Sequence, residues 1–164
     1  MVTVERVIVK VGIADINYVV SPGVIRTSGL GSCVGVVLYA HSIAGMVHVM
    51  LPSSTLARTT DFNHSKYADT GIDALVNLLL DKGTKKRDLR AKISGGAQMF
   101  QFQHSNDTLR IGPRNVEAVK DKLLEHSIPI LGEDCGGNSG RTIEFNPASE
   151  KLMIKTVNKG VTYI

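Results

Sequence analysis

Two apolar runs dominate the hydrophobic pattern: Cys33 to Ala40 (CVGVVLYA) and Ala44 to Leu51 (AGMVHVML), with His41-Ser42 between them. Both are short and rich in β-branched residues, so they read as a pair of buried strands. Pro52 ends the second, because proline has no N–H to give to a ladder. Upstream, 4–13 (VERVIVKVGI) and 16–20 (INYVV) read as strands, Ser21-Pro22-Gly23 as a turn, and Val24 to Thr27 as a short extended piece. Ser28 to Ser32 (SGLGS) reads as a glycine loop. Further strands are expected at 91–94, 128–133, 142–145, 152–157 and 161–164.

Two segments have helical spacing instead. Between Ser65 and Lys82, apolar residues recur at Ala68, Ile72, Leu75, Val76, Leu79 and Leu80. Ser65 stands as a cap and Gly83 as a stop. Between Pro113 and Glu125 the stripe is Val116, Val119, Leu123 and Leu124, and Pro113 suits a first turn. Many strands with two good helices imply layered sheets with helices packed outside. A chain of 164 residues fits one domain, 1–164.

Composition narrows the picture modestly. Hydrophobic residues make up 43% and charged residues 21%, an ordinary globular balance. Trp is absent and aromatics are 5%, so the core must rest on Val, Ile, Leu and Met. The net charge of +4 permits an acidic partner without requiring one. The densest basic run, Lys82 to Arg90, follows a helix, where cations favour the negative end. No aromatic is interleaved for base stacking, so it reads as a solvated helix exit and no nucleic-acid partner is expected. The N-terminal stretch lacks the apolar core of a signal peptide, and no run approaches the length of a membrane helix. A cytoplasmic protein without membrane insertion, with Cys33 and Cys135 as free thiols, is expected.

Candidate chemistry lies within Val24 to Pro52. A hairpin centred between residues 40 and 41 would set Cys33 directly opposite His48, within reach of a thiol–imidazole contact. Period two would put Met46 and Met50 on the His48 face, with Val47, Val49 and Leu51 on the other. An imidazole can take the thiol proton and hold the thiolate as an ion pair, which attacks a carboxamide carbon. Gly29 and Gly31 let the backbone turn and expose N–H donors for an oxyanion, with Gly31 and Ser32 as loop support. A third group should orient the imidazole. Thr27 and Ser28 are nearby, and Asp61 and Asp69 qualify by composition.

Other motifs carry weaker signals. GGA at 95–97 and GGN at 136–138 could cradle an anion, but tight turns near the cleft are favoured. Gly29-x-Gly31 is followed by a strand, not a helix, which excludes a dinucleotide fingerprint. His41, His64, His104 and His126 have no metal-site spacing, so no metal is expected. His41 reads as a turn residue. Phe100 and Phe102 would share a face if extended; core packing is the default, with partner binding the alternative. Arg114 and Arg141 are candidates for ordering loops or meeting acidic helices.

The runs GVIRTSGLGSCVGVVLY and GMVHVMLP resemble the chemoreceptor glutamine deamidase family, CheD. The resemblance continues through KYAD (66–69), ISGGAQMF (93–100), IGPRNV (111–116) and EDCGGNSGRTIEFN (133–146), nearly the whole chain. It implies Cys33 as nucleophile, His48 as catalytic histidine and Thr27 as the third active-site residue. It also implies hydrolysis of receptor glutamines to glutamates with release of ammonia, without metal or organic cofactor. The implied partners are chemoreceptor cytoplasmic helices, as substrate, and the chemotaxis phosphatase CheC. The implied fold is α/β, a layered sandwich of mixed β-sheets with helices packed outside, similar to bacterial toxin deamidases. Exposed glutamines on a helix call for a shallow cleft. The competing reading is an adaptor that regulates the phosphatase, with catalysis secondary. A cysteine peptidase or transglutaminase would share the thioester.

Overall fold

The computed structural model describes residues 6–99 and 110–164. In chain order the strands are β1 (Ile8–Val11), β2 (Ile16–Val20), β3 (Val24–Leu30), β4 (Val34–Ala40) and β5 (Ile43–Val49). Helix α1 (Ala68–Asp81) follows, then β6 (Arg90–Gly95), α2 (Ile111–Glu125) and β7 (Ile130–Cys135). Strands β8 (Arg141–Asn146), β9 (Lys151–Thr156) and β10 (Gly160–Tyr163) end the chain. Every strand expected from the pattern is present.

The strands form two five-stranded sheets, ordered β1-β3-β8-β9-β10 and β2-β5-β4-β6-β7. Both are mixed: β1 runs parallel to β3, and β6 parallel to β7, while the other pairs are antiparallel. The second sheet is the middle of three layers. Val34, Val36 and Leu38 of β4, with Val47 and Val49 of β5, bury against Ile72, Leu75 and Leu79 of α1 and Val119 and Leu123 of α2. Val37, Tyr39 and Met46 point the other way, onto Ile25, Ile143, Phe145 and Ile154 of the first sheet. This explains the unbroken apolar run of β4. A strand covered on both faces has no polar side. The α/β layered sandwich is therefore as expected, with both helices on one side.

Local differences from the pattern have local causes. Helix α1 starts at Ala68, not Ser65. Ser65 lies in a preceding single turn, His64–Lys66, capped by the Asn63 side chain. Helix α2 starts at Ile111, which places Pro113 in the first turn. Leu124 is 77% exposed because it stands about 100° round the helix from Leu123, off the buried stripe. Strand β3 runs on through the expected glycine loop to Leu30, with a register irregularity between Thr27 and Leu30. The loop shrinks to residues 31–33.

The hairpin between β4 and β5 turns at His41 and Ser42, both with positive φ (42° and 69°). That two-residue turn suits the strand twist. It centres the hairpin between residues 41 and 42, so Gly35, not Cys33, pairs with His48. The expected register is off by two residues. A shift of two, unlike a shift of one, leaves side chains on their faces.

Candidate active site

Thr27 of β3 and His48 of β5 come from different sheets and meet in the layer between them. Both are buried. Thr27 Oγ1 donates to the Val11 carbonyl at 2.8 Å and lies 2.8 Å from His48 Nδ1. A hydroxyl has one proton, and this one points at Val11. Thr27 must therefore accept from Nδ1–H, which leaves His48 Nε2 as a bare lone pair. Nε2 is buried and has no hydrogen-bond partner among the described residues. Burial also lowers the His48 pKa to about 4, so the ring is neutral at physiological pH. Its backbone is clamped as well: His48 N donates to Asp15 O at 3.1 Å, and Ala14 N donates to His48 O at 3.0 Å.

Cys33 stands immediately before β4, two residues ahead of Gly35. By the strand period it shares the face of Gly35 and His48, and it packs against the cluster between the sheets. Its thiol is free and partly buried, and burial raises its pKa while its own backbone amide opposes the shift. The thiol makes no hydrogen bond to His48 Nε2 in this structure. Both groups are thus neutral at rest, and the ion pair expected from sequence is not preformed.

Gly35 was not singled out by sequence, although a glycine inside an apolar strand signals close approach. A Cβ there would lie 2.6 Å from Ile143 Cδ1 and 3.6 Å from Thr27 Cγ2. The absent side chain lets the first sheet bring Thr27 up to His48.

The loop before β4 is held by its carbonyls. Gly31 O accepts from Ala97 N (2.8 Å), Ser32 O from Asn115 Nδ2 (2.9 Å) and Cys33 O from Gly96 N (2.8 Å). The Gly31 amide closes a bond to Gly29 O at 3.1 Å. Among the described residues, the amides of Ser32 and Cys33 donate to no other residue's acceptor. Among the described residues the Ser32 amide is thus open, and the Cys33 amide serves only its own sulfur.

The glycine pairs act as turns. Besides Gly96 and Ala97, Gly136 N bonds Gly95 O and Gln98 N bonds Gly137 O, both at 2.9 Å. Arg141 locks the two turns together through Gly136 O (2.8 Å), with Asp134 at 3.5 Å. Its role is loop ordering. Asp69 accepts from Ser54 N and Ser54 Oγ, Asp61 is exposed, and Ser28 is exposed, so among these candidates Thr27 alone contacts the imidazole. Phe100, Phe102 and His104 lie outside the described residues. Among the described residues, no group of three or more His, Cys, Asp or Glu could hold a metal ion. Cys135 faces the helix layer, away from Cys33. Clefts of about 500 Å³ at the His41-Ser42 turn and about 490 Å³ beside Cys135 include neither Cys33 nor His48. No helix among the described residues is long and apolar enough to cross a membrane.

A sequence model of the family described as CheD chemotactic sensory transduction matches residues 50–156. A protein of Halalkalibacterium halodurans named chemoreceptor glutamine deamidase CheD is 59% identical over 155 residues, covering 93% of this chain and 96% of its own. The proteins of that name from Bacillus licheniformis and Bacillus subtilis are 56% and 53% identical. Each comparison covers 98% of this chain, with 96% and 98% of the relatives' own length. The chain belongs to the CheD family. The matched CheD segment begins at Met50, just after His48, so the site geometry is an observation separate from that match. The full-length CheD relatives, in contrast, span the site residues.

Proposed function

We propose that this protein hydrolyses glutamine side-chain amides on the cytoplasmic helices of chemotaxis receptors to glutamates, releasing ammonia through a Cys33 thioester. The names of its relatives support the substrate. The observation that carries the mechanism is the Thr27 hydroxyl, which holds the His48 proton on Nδ1 and leaves Nε2 open on the face shared with Cys33.

The reaction begins when Cys33 Sγ closes on Nε2 and the glutamine Cδ. Such contacts commonly tighten only when substrate binds. The thiol proton passes to Nε2 as sulfur attacks, because separating charge beforehand is uphill for two buried neutral groups. The amides of Ser32 and Cys33 receive the developing oxyanion. Collapse of the intermediate expels ammonia, which takes the proton from the imidazolium. Water then attacks the thioester, gives a proton to Nε2, and releases glutamate and the Cys33 thiol. Thr27 keeps the ring in the required tautomer throughout. Met99, 46% exposed and lying over Gly31, offers an apolar wall beside the loop for a substrate helix. Binding of the chemotaxis phosphatase CheC belongs to the same proposal and rests on family resemblance.

Mass spectrometry of receptor cytoplasmic fragments tests the reading. Wild type is expected to convert specific glutamines to glutamates, and Cys33→Ala to leave them as amides while keeping its fold. Unchanged amides with both proteins would sink it.

A further inference from the structure

The β4–β5 ladder ends at Val34 opposite Val49. The next pair would be Cys33 and Met50, but the strands part there. Met50 N turns away to bond Lys66 O at 2.8 Å, and the chain enters the bridge between Leu51 and Tyr67. The parting leaves two carbonyls, Ser32 O and Met50 O, without ladder partners. Asn115 Nδ2 lies 2.9 Å from each.

Asn115 is fully buried in α2, and its two amide hydrogens are both used in this bridge. Its Oδ1 has no hydrogen-bond partner among the described residues. Leucine at the same place would remove that unpaired acceptor but would strand both carbonyls. The carboxamide is thus explained by the two strand ends it bridges rather than by packing. One of its bonds fixes the residue before Cys33, and the other fixes the residue two beyond His48. Helix α2 therefore sets the spacing of nucleophile and base from behind, where the sheet's own hydrogen bonds have stopped.

We propose that Asn115 is a positioning residue for the Cys33–His48 pair, acting through the Ser32 and Met50 carbonyls without touching substrate. This rests on the deamidase reading for its kinetic consequence but not for its chemical one. Without the bridge each strand end keeps its outer bonds, to Gly96 N on one side and Lys66 O on the other, but the tie between them is lost and the thiol shifts from the imidazole that takes its proton.

The test uses the full chain with Asn115→Leu and Asn115→Ser, and compares them with wild type and His48→Gln. Val119→Ala, a buried truncation on the same helix away from the loop, controls for lost stability. Two quantities are read: kcat and KM on receptor fragments, and the pH profile of Cys33 alkylation by iodoacetamide, assigned by peptide mass. The expected result is kcat lower by about tenfold or more with KM within about twofold, as a misplaced reacting group gives. The alkylation rate near neutral pH, where His48 can take the proton as sulfur attacks, should fall so that the profile approaches that of His48→Gln, while Val119→Ala keeps the wild-type profile. If wild type deamidates nothing, the substrate reading fails, and the alkylation profile alone decides the role of Asn115. A wild-type profile in folded Asn115 variants would overturn the proposal. So would a loss in Val119→Ala equal to theirs, or failure of both Asn115 variants to fold.

Discussion

The burial of one histidine makes folding pH-dependent. In the unfolded chain a histidine titrates near 6.5. Burial lowers the pKa of His48, whose Nδ1 bonds Thr27 and whose Nε2 has no partner among the described residues, to about 4. Between those values the unfolded state holds the extra proton, so acid favours unfolding. The contribution is complete above about pH 6.5, shrinks as pH falls toward 4, and is then gone; its full size is on the order of 3 kcal/mol. Urea unfolding of wild type and His48→Gln at pH 7 and pH 4.5 measures this. Wild type should lose more stability than the variant across the interval. Parallel losses would mean that His48 is not held neutral. Residue types told most of what sequence could tell at this scale. A thiol, an imidazole and a nearby hydroxyl are legible from their chemistry. Asn115 is not, because its role is a reach of 83 positions to a backbone carbonyl.

At the scale of elements, strands were read from β-branched runs with small errors in their ends, because alternation and apolar content survive any register. The register itself depends on the turn. His41-Ser42 adopts two positive φ angles without the glycine or asparagine that usually announces such a turn, so the centre of the hairpin was misplaced. Face assignment survived because the error was even. The pairing of His48 with Gly35 has its own consequence. A methyl group at residue 35 would stand 2.6 Å from Ile143 Cδ1 and 3.3 Å from Leu30 Cδ1, so the ends of those side chains must shift to admit it. Gly35→Ala should lower stability by about 1–3 kcal/mol through overpacking. It should also push the first sheet, and Thr27 with it, off His48. Denaturant midpoints give the first effect. Loss of the Nδ1 contact would appear as faster solvent exchange of the Nδ1 proton by NMR. A variant as stable as wild type would show that the sheets are not in tight contact at this point.

At the scale of the whole molecule, layered sheets with outer helices could be read from the mixture of elements, but which layer holds the chemistry could not. An apolar strand buried on both faces gives no sign of which face meets a helix and which meets a sheet. The answer matters, because Thr27 belongs to one sheet and Cys33 and His48 to the other. The site is therefore as precise as the packing between the sheets, with α2 reaching it through Asn115, and less dependent on the packing of α1 behind. Two conservative truncations separate these layers. Ile143→Val thins the contact between the sheets beside Gly35, and Ile72→Val thins the contact of α1 with the middle sheet. Each removes one buried methylene and should cost about 0.5–1.5 kcal/mol. At matched loss of stability, Ile143→Val should lower kcat on receptor fragments by several-fold, since a small displacement of the imidazole is amplified in the proton transfer. Ile72→Val should leave kcat near wild type. Equal kcat losses in the two variants would mean that the protein responds as a single rigid body and that inter-sheet packing has no special hold on the site.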